Sequence, residues 1–371
     1  VAIGNFLFTF FFIGVQIVGI AYVIQAFTGN LISYTTTVLI ISTVLAVYIT
    51  LGGMYSVVRT DLLQIIMVAI ALVAVFISLF TADFGGHVQA LLGTEKASII
   101  RTQQPLLSWL SSFIAFGVGM FFWPQLWQRT FAVKQRVSLI YMAMGMMIGT
   151  LVLTFALTYP VALWGAGEWP TLEALGTSAD QIMIRFAIQS MPVALAALIL
   201  SGATAASMST VDSQILTITS IIQRDLIEKP FNVQIDEKKR IVIGRCLTIG
   251  LILLTTIAAL YPPPLITGLV IDTAYPGFCG MAPAIIMGLY WKRATAVAAR
   301  WSIFSGMAIA LLIIAAGKLG IPALAPFANL FGLGLYPGFW ALVVGAVVMY
   351  AVSMISAPTS YTTLKRFGLE A

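Results

Sequence analysis

Between Ser201 and Ser213 the chain reads Ser-Gly-Ala-Thr-Ala-Ala-Ser-Met-Ser-Thr-Val-Asp-Ser, hydroxyl side chains and a carboxylate inside a segment otherwise suited to lipid. In hydrocarbon an unpaired hydroxyl or a charge is costly, so a polar stripe there marks a functional site by default. On a helix, Ala206, Ser209, Thr210 and Ser213 share one face, at i, i+3, i+4 and i+7. Oxygens crowded on one stripe, with no His or Cys nearby, suit a hard cation such as sodium. Softer metals prefer nitrogen and sulfur ligands. The plainer reading is that small hydroxyl residues only let helices approach closely.

The rest of the chain is built to hold such a stripe in a bilayer. Of its 371 residues 60% are hydrophobic and 9% charged, against roughly a quarter charged in soluble domains. Repeated apolar runs of about 20 residues predict an all-α, polytopic transmembrane bundle. Cys246 and Cys279 both lie in apolar segments and form neither a disulfide framework nor a metal motif. The single His87 reads as a solvated residue of a polar connection rather than a ligand. With no Ser/His/Asp, Cys/His, zinc or phosphate-loop arrangement, the residues point away from an enzyme and from any cofactor other than a coupling ion.

Ten spans are expected, at about 3–27, 32–51, 58–82, 106–131, 137–165, 191–224, 239–260, 265–290, 296–317 and 336–356. A short amphipathic helix near 179–189 is expected at the membrane surface, with Arg185 on its wet side. Placing the chain start in the cytoplasm puts fifteen of the 19 basic residues in inside connections, from Arg59 and Arg129 to Lys365 and Arg366. Lys96, Arg101, Lys318 and Arg185 fall outside. That bias is what the positive-inside rule requires, and it puts the C-terminus in the cytoplasm. The net charge of +6 therefore faces anionic lipid, not nucleic acid. Val1 opens the chain directly into an apolar helix, with no initiator Met and no signal-peptide features, and the sequence reads as a fragment that starts inside a larger protein.

Three spans carry helix-breaking residues: Gly117, Gly119 and Pro124; Gly202; and Tyr275-Pro-Gly-Phe-Cys-Gly-Met-Ala-Pro283. Interrupted helices near the midplane point to a transporter's binding site. Gly and Pro are also simply commoner in transmembrane helices, and for any one span the two readings weigh equally.

Gly52-Gly-Met-Tyr-Ser-Val-Val-Arg-Thr-Asp-Leu-Leu-Gln64 resembles the GG…TD..Q signature of the sodium:solute symporter family. Ala205-Ala-Ser-Met-Ser-Thr-Val-Asp-Ser213, followed by Arg224-Asp-Leu226, resembles its second signature, on the eighth core helix. Trp123-Pro-Gln-Leu-Trp-Gln-Arg129 is similar to the end of the family's sixth core helix. The landmarks come in family order over nearly the whole chain. The resemblance implies a fold of two inverted five-helix repeats, with residues 1–371 forming one transmembrane transporter domain. In it, core helices three to ten and two peripheral C-terminal helices are present and the first two core helices are missing.

It also implies roles. Ala206 would supply a carbonyl, and Ser209 and Thr210 hydroxyls, to the family's common sodium site. Asp61, Asp212 and Ser213 match a second cation site or exit path, although relatives carry Ser where Asp212 stands. Asp61 reads equally well as a cap at its helix's cytoplasmic end. Phe12, Phe116 and Met120 match solute-contacting positions, with a more apolar wall than in relatives that carry Trp or Tyr there. Gln16 is a polar candidate in the first span, and Asp272 an acid bordering the solute cavity. The function implied is sodium-coupled symport of a small organic solute (amino acid, organic acid, sugar or vitamin) across the inner or plasma membrane. Proton coupling through Asp61, Asp212 or Asp272, and a transporter-like membrane sensor, are the alternatives.

Overall fold

The structure, a computed structural model, describes residues 2–81, 83–92, 106–169, 181–262, 270–318, 333–360 and 364–365. Among them every regular element is helical, as expected where each backbone N–H and C=O must be satisfied within its own segment.

Helix α1 (Ala2–Phe27) has no charged residue in its 26. Helix α2 (Tyr34–Thr81) runs 48 residues, roughly 70 Å at 1.5 Å per residue, or about twice a bilayer's hydrocarbon core. It is divided at Gly53, whose φ of 54° and ψ of −151° place it in a region open essentially to glycine alone. The expected connection between the second and third spans is thus a one-residue break. Helix α3 (Phe84–Leu92) carries His87.

Helices α4 (Leu106–Phe121) and α5 (Pro124–Ala132) are bent by 44° across their junction; Pro124 opens the second, as a residue without an N–H can. Helix α6 (Arg136–Val152) passes through a π-helical turn, Leu153–Thr158, into α7 (Tyr159–Glu168). Then come α8 (Ile182–Ser190), α9 (Val193–Ile221) with a π turn over Ile222–Glu228, and α10 (Glu237–Ala259). A π turn at Val270–Ala274 leads into α11 (Tyr275–Tyr290), followed by α12 (Ala296–Lys318) and α13 (Pro337–Ile355).

Seven of these helices are long and apolar enough to cross a bilayer, or eight if α4 and α5 form one bent span. The ten expected spans are met only loosely. That total needs α2 counted as two and the 16-residue α11 counted with residues 263–269, which lie outside those described. Of the three expected interruptions, only Pro124 breaks a helix. Pro283 sits inside α11, and Gly202 lies in unbroken α9.

The described chain separates into two compact units. One holds residues 1–11, 103–127 and 268–371. Its helices α11, α12 and α13 meet through missing side chains. A Cβ on Gly306 would stand 2.9 Å from the Ala341 carbonyl and 3.0 Å from the Gly280 Cα, the close approach small residues permit between membrane helices. The Ser302 hydroxyl donates to the Gly345 carbonyl at 2.8 Å, and the Cys279 thiol to that of Ala115 at 3.1 Å.

The other unit holds residues 12–102 and 128–267. Its apolar core includes Val75, Phe186 and Ile199, all almost wholly buried. Here α9 lies against the limb of α2 beyond Gly53, and a Cβ on Gly202 would come within 3.0 Å of the Met67 carbonyl. Gly202 therefore serves packing. His87 is more than a solvated loop residue: its Nε2 meets Glu168 at 2.8 Å and its ring lies on Trp164.

Candidate functional site

The hydroxyl run folds as one helix because Ala, Met, Leu and Ile around it carry the helical period, while Thr204, Ser209 and Thr210 return their hydroxyls to the turn before. The Ser209 hydroxyl donates to the Ala206 carbonyl at 2.8 Å and that of Thr210 to the same carbonyl at 3.1 Å. Three oxygens thus converge on one patch of α9, where Ala206 is exposed and Ser209 and Thr210 are half-buried. Such a cluster presents half of a hard cation's oxygen shell. One turn and more toward the other end of α9, an apolar cavity of about 400 Å³ is lined by Ser201, Thr204 and Ala205 with Gln64 of α2. The Gln64 Oε1 is buried there without a hydrogen bond.

Beyond Thr210 the stripe continues into a polar seam. Asp212 is fully buried. Its Oδ2 accepts from the Tyr48 hydroxyl at 2.8 Å and its Oδ1 from the Ser213 N–H at 2.7 Å. Asp61 is about two turns past the Gly53 break, so it caps no helix end. Instead its Oδ2 accepts from the Arg129 Nη2 at 2.7 Å. The same Nη2 donates to the Ser213 hydroxyl. Thr217 donates to the Gln128 side chain and to the Ser213 carbonyl.

The structure brings Asp61, Asp212 and Ser213 together, as the resemblance implies, but around a guanidinium. The second oxygen of Asp61 is buried without a hydrogen-bond partner. Sequence reasoning missed Arg129 and Tyr48 as site residues. Arg129 read as one more inside-facing positive charge at the end of a family-like segment, and no local pattern ties it to carboxylates on other helices. Nothing local marks Tyr48.

The candidate solute residues divide between the units. Phe12 is buried and Gln16 half-buried in the part of α1 that belongs with α9. Phe116 and Met120, one turn apart on α4, belong to the other unit, where Phe116 meets the rings of Tyr275 and Tyr336, each at 5.0 Å between centroids. Asp272 falls in the π turn before α11, and its side chain lies outside the described residues.

The profile of the sodium:solute symporter family matches residues 1–306. The chain belongs to that family. It is 28% identical over 328 residues to the sodium/pantothenate symporter of Haemophilus influenzae, covering 82% of this chain and 63% of that protein. It is 25% identical over 332 residues to the sodium/proline symporter of Escherichia coli, covering 86% of this chain and 62% of that protein. The symporter-family chain thus spans less than two thirds of the length of these relatives. Among solved structures, a sodium-coupled sialic acid symporter in a substrate-bound, outward-open state superposes with a TM-score of 0.73 at 18% identity, covering 97% of this chain and 74% of that one. That likeness establishes the fold. With its apolar helices, family membership makes the chain a multi-pass membrane protein.

Proposed function

We propose that the chain forms one transporter domain that couples entry of a small organic solute to sodium across the plasma membrane, with its C-terminus in the cytoplasm. The observation that carries this reading is the convergence of the Ala206 carbonyl with the Ser209 and Thr210 hydroxyls on one patch of α9. Sodium binding turns both hydroxyl protons away from the carbonyl, so that three lone pairs face the ion. The hydroxyls then lose a mutual arrangement that the empty helix satisfies locally, so the ion is held without being trapped. Relatives named for proline and pantothenate support a solute of amino-acid or organic-acid size. Phe116 and Met120 supply an apolar wall to it.

In this reading the Asp61–Asp212–Ser213 seam is an exit path, not a second resident site, because Arg129 already bridges Asp61 and Ser213. A departing sodium ion meets the unbonded Oδ1 of Asp61 and competes with the guanidinium for the carboxylate. Coupling demands that sodium and solute each tighten the other's binding by the same factor.

The test is solute uptake into proteoliposomes as sodium is titrated. Ser209→Ala and Thr210→Ala should each raise the sodium concentration for half-activation about tenfold, equal to about 1.4 kcal/mol, with expression unchanged. Wild-type sodium dependence in both variants defeats the assignment. Uptake driven by a pH gradient without sodium decides for proton coupling instead.

A further inference from the structure

Away from the hydroxyl stripe, within the same unit, a second cavity of about 380 Å³ lies between the end of α1 and helix α8. Its lining is unlike that of a lipid-facing groove. Arg185 and Gln189, one turn apart on α8, and Gln181, the residue that precedes the helix, all line this wall. The opposite side of α8 is fixed in the core by Ile184, Phe186 and Ala187, the last two fully buried. This holds the polar face outward as a rigid wall. Across the cavity stand Tyr22, Gln25 and Asn30.

Asn30 is placed by the turn that ends α1. Its N–H donates to the Gln25 carbonyl at 2.9 Å, and the Gly29 N–H to that of Ala26 at 3.2 Å. Gly29 has a φ of 59°. This is the Schellman arrangement, which closes a helix with a left-handed glycine.

Among the described residues, Arg185 is the one charged residue lining this cavity. It is half-buried, and among the described residues the ion pairs join His87 to Glu168, Arg129 to Asp61, Lys229 to Asp225 and Arg240 to Glu228. None engages Arg185. A guanidinium ringed by amides and a phenol, in a cavity of metabolite size, presents planar donors to an oxyanion. The amides can meet both donors and acceptors on the rest of the molecule. We propose that this cavity binds a small solute through its carboxylate, with Arg185 as the anchor and Gln25, Asn30, Gln181 and Gln189 as neutral hydrogen-bonding partners. On the orientation proposed above it opens to the outer side. The inference goes beyond the sodium reading and does not rest on it.

The probe is trifluoroacetate, followed by ¹⁹F line broadening on the full-length protein in phosphatidylcholine nanodiscs, in sodium-free, chloride-poor buffer. Trifluoroacetamide, of the same shape without the charge, is the control. Wild-type protein should broaden the acid and leave the amide sharp. Arg185→Gln should reduce the effect at least fivefold, and Arg185→Lys should retain part of it. Ser209→Ala should match wild type, which separates this site from the sodium site. Equal broadening in wild type and Arg185→Gln, each with an unchanged melting temperature, overturns the proposal; if Arg185→Gln fails to fold, Gln189→Ala must show the reduction instead. Broadening of acid and amide alike also overturns it. Loss of the signal on adding phosphatidylglycerol overturns it in favour of a lipid headgroup.

Discussion

Helices α11, α12 and α13 and helices α2 and α9 solve the same problem in opposite ways. The first group meets chiefly through Gly280, Gly306 and Ala341, where backbone touches backbone, with the Ser302 hydroxyl bonded to the Gly345 carbonyl beside them. Along the second half of α9 the contacts run through Tyr48, Asp212, Ser213, Arg129 and Asp61. In water the two would differ little. In lipid they differ greatly, because helices gain nothing from burying apolar surface and association rests on close packing or on polar bonds. A seam made of glycine has one good arrangement. A seam of charges and hydroxyls can exchange partners, and ions can enter the exchange.

The contrast makes predictions that can be ranked. Gly306→Val drives a branched side chain into the Ala341 carbonyl and the Gly280 backbone, and should cost about 3 kcal/mol, read as lost monodisperse protein in detergent. A wild-type melting curve would mean that the glycine seam is loose. Next comes Arg129→Ala, which strips the half-buried Asp61 carboxylate of its partner and should cost about 1–3 kcal/mol. Adding Asp61→Asn should recover at least half of that loss. If the double variant is no better than the single, the seam is not held by this pair.

The smallest effect belongs to His87. Burial pushes its pKa down, but the Asp83 carbonyl and the Glu168 carboxylate outweigh burial and leave it raised above the ordinary histidine value. The folded protein therefore binds the proton more tightly than the unfolded chain. The contribution is full below about pH 6.5 and is lost as pH rises through the raised value. At a partly exposed ion pair it should stay within about 1 kcal/mol. Melting temperatures across that range should fall in wild type relative to His87→Gln; parallel curves would remove the ion pair from the account.

The bundle and its class were readable from hydropathy, since lipid imposes about 20 apolar residues on each span whatever the chain does. The stripe at Ala206, Ser209 and Thr210 was readable too, because its partners lie within one turn of each other. The seam was not. Tyr48 and Asp212 are 164 residues apart and Arg129 and Asp61 are 68, and no periodicity carries such distances. Helix breaks misled for a related reason. Gly280 and Pro283 look alike as breakers in sequence, yet neighbouring helices turn one into a contact and absorb the other within α11.

The π turn at Ile222–Glu228 carries one residue more than an α-helical path would hold. At its last residue, Glu228 accepts two bonds from Arg240, each 3.0 Å. Deleting one residue there would return the turn to an α-helical path and leave the chain beyond it nearly in place, whereas a deletion within α9 itself would swing everything downstream by about 100°. At this point the helix can absorb a change in its length, and a single deletion there should be milder than one within α9.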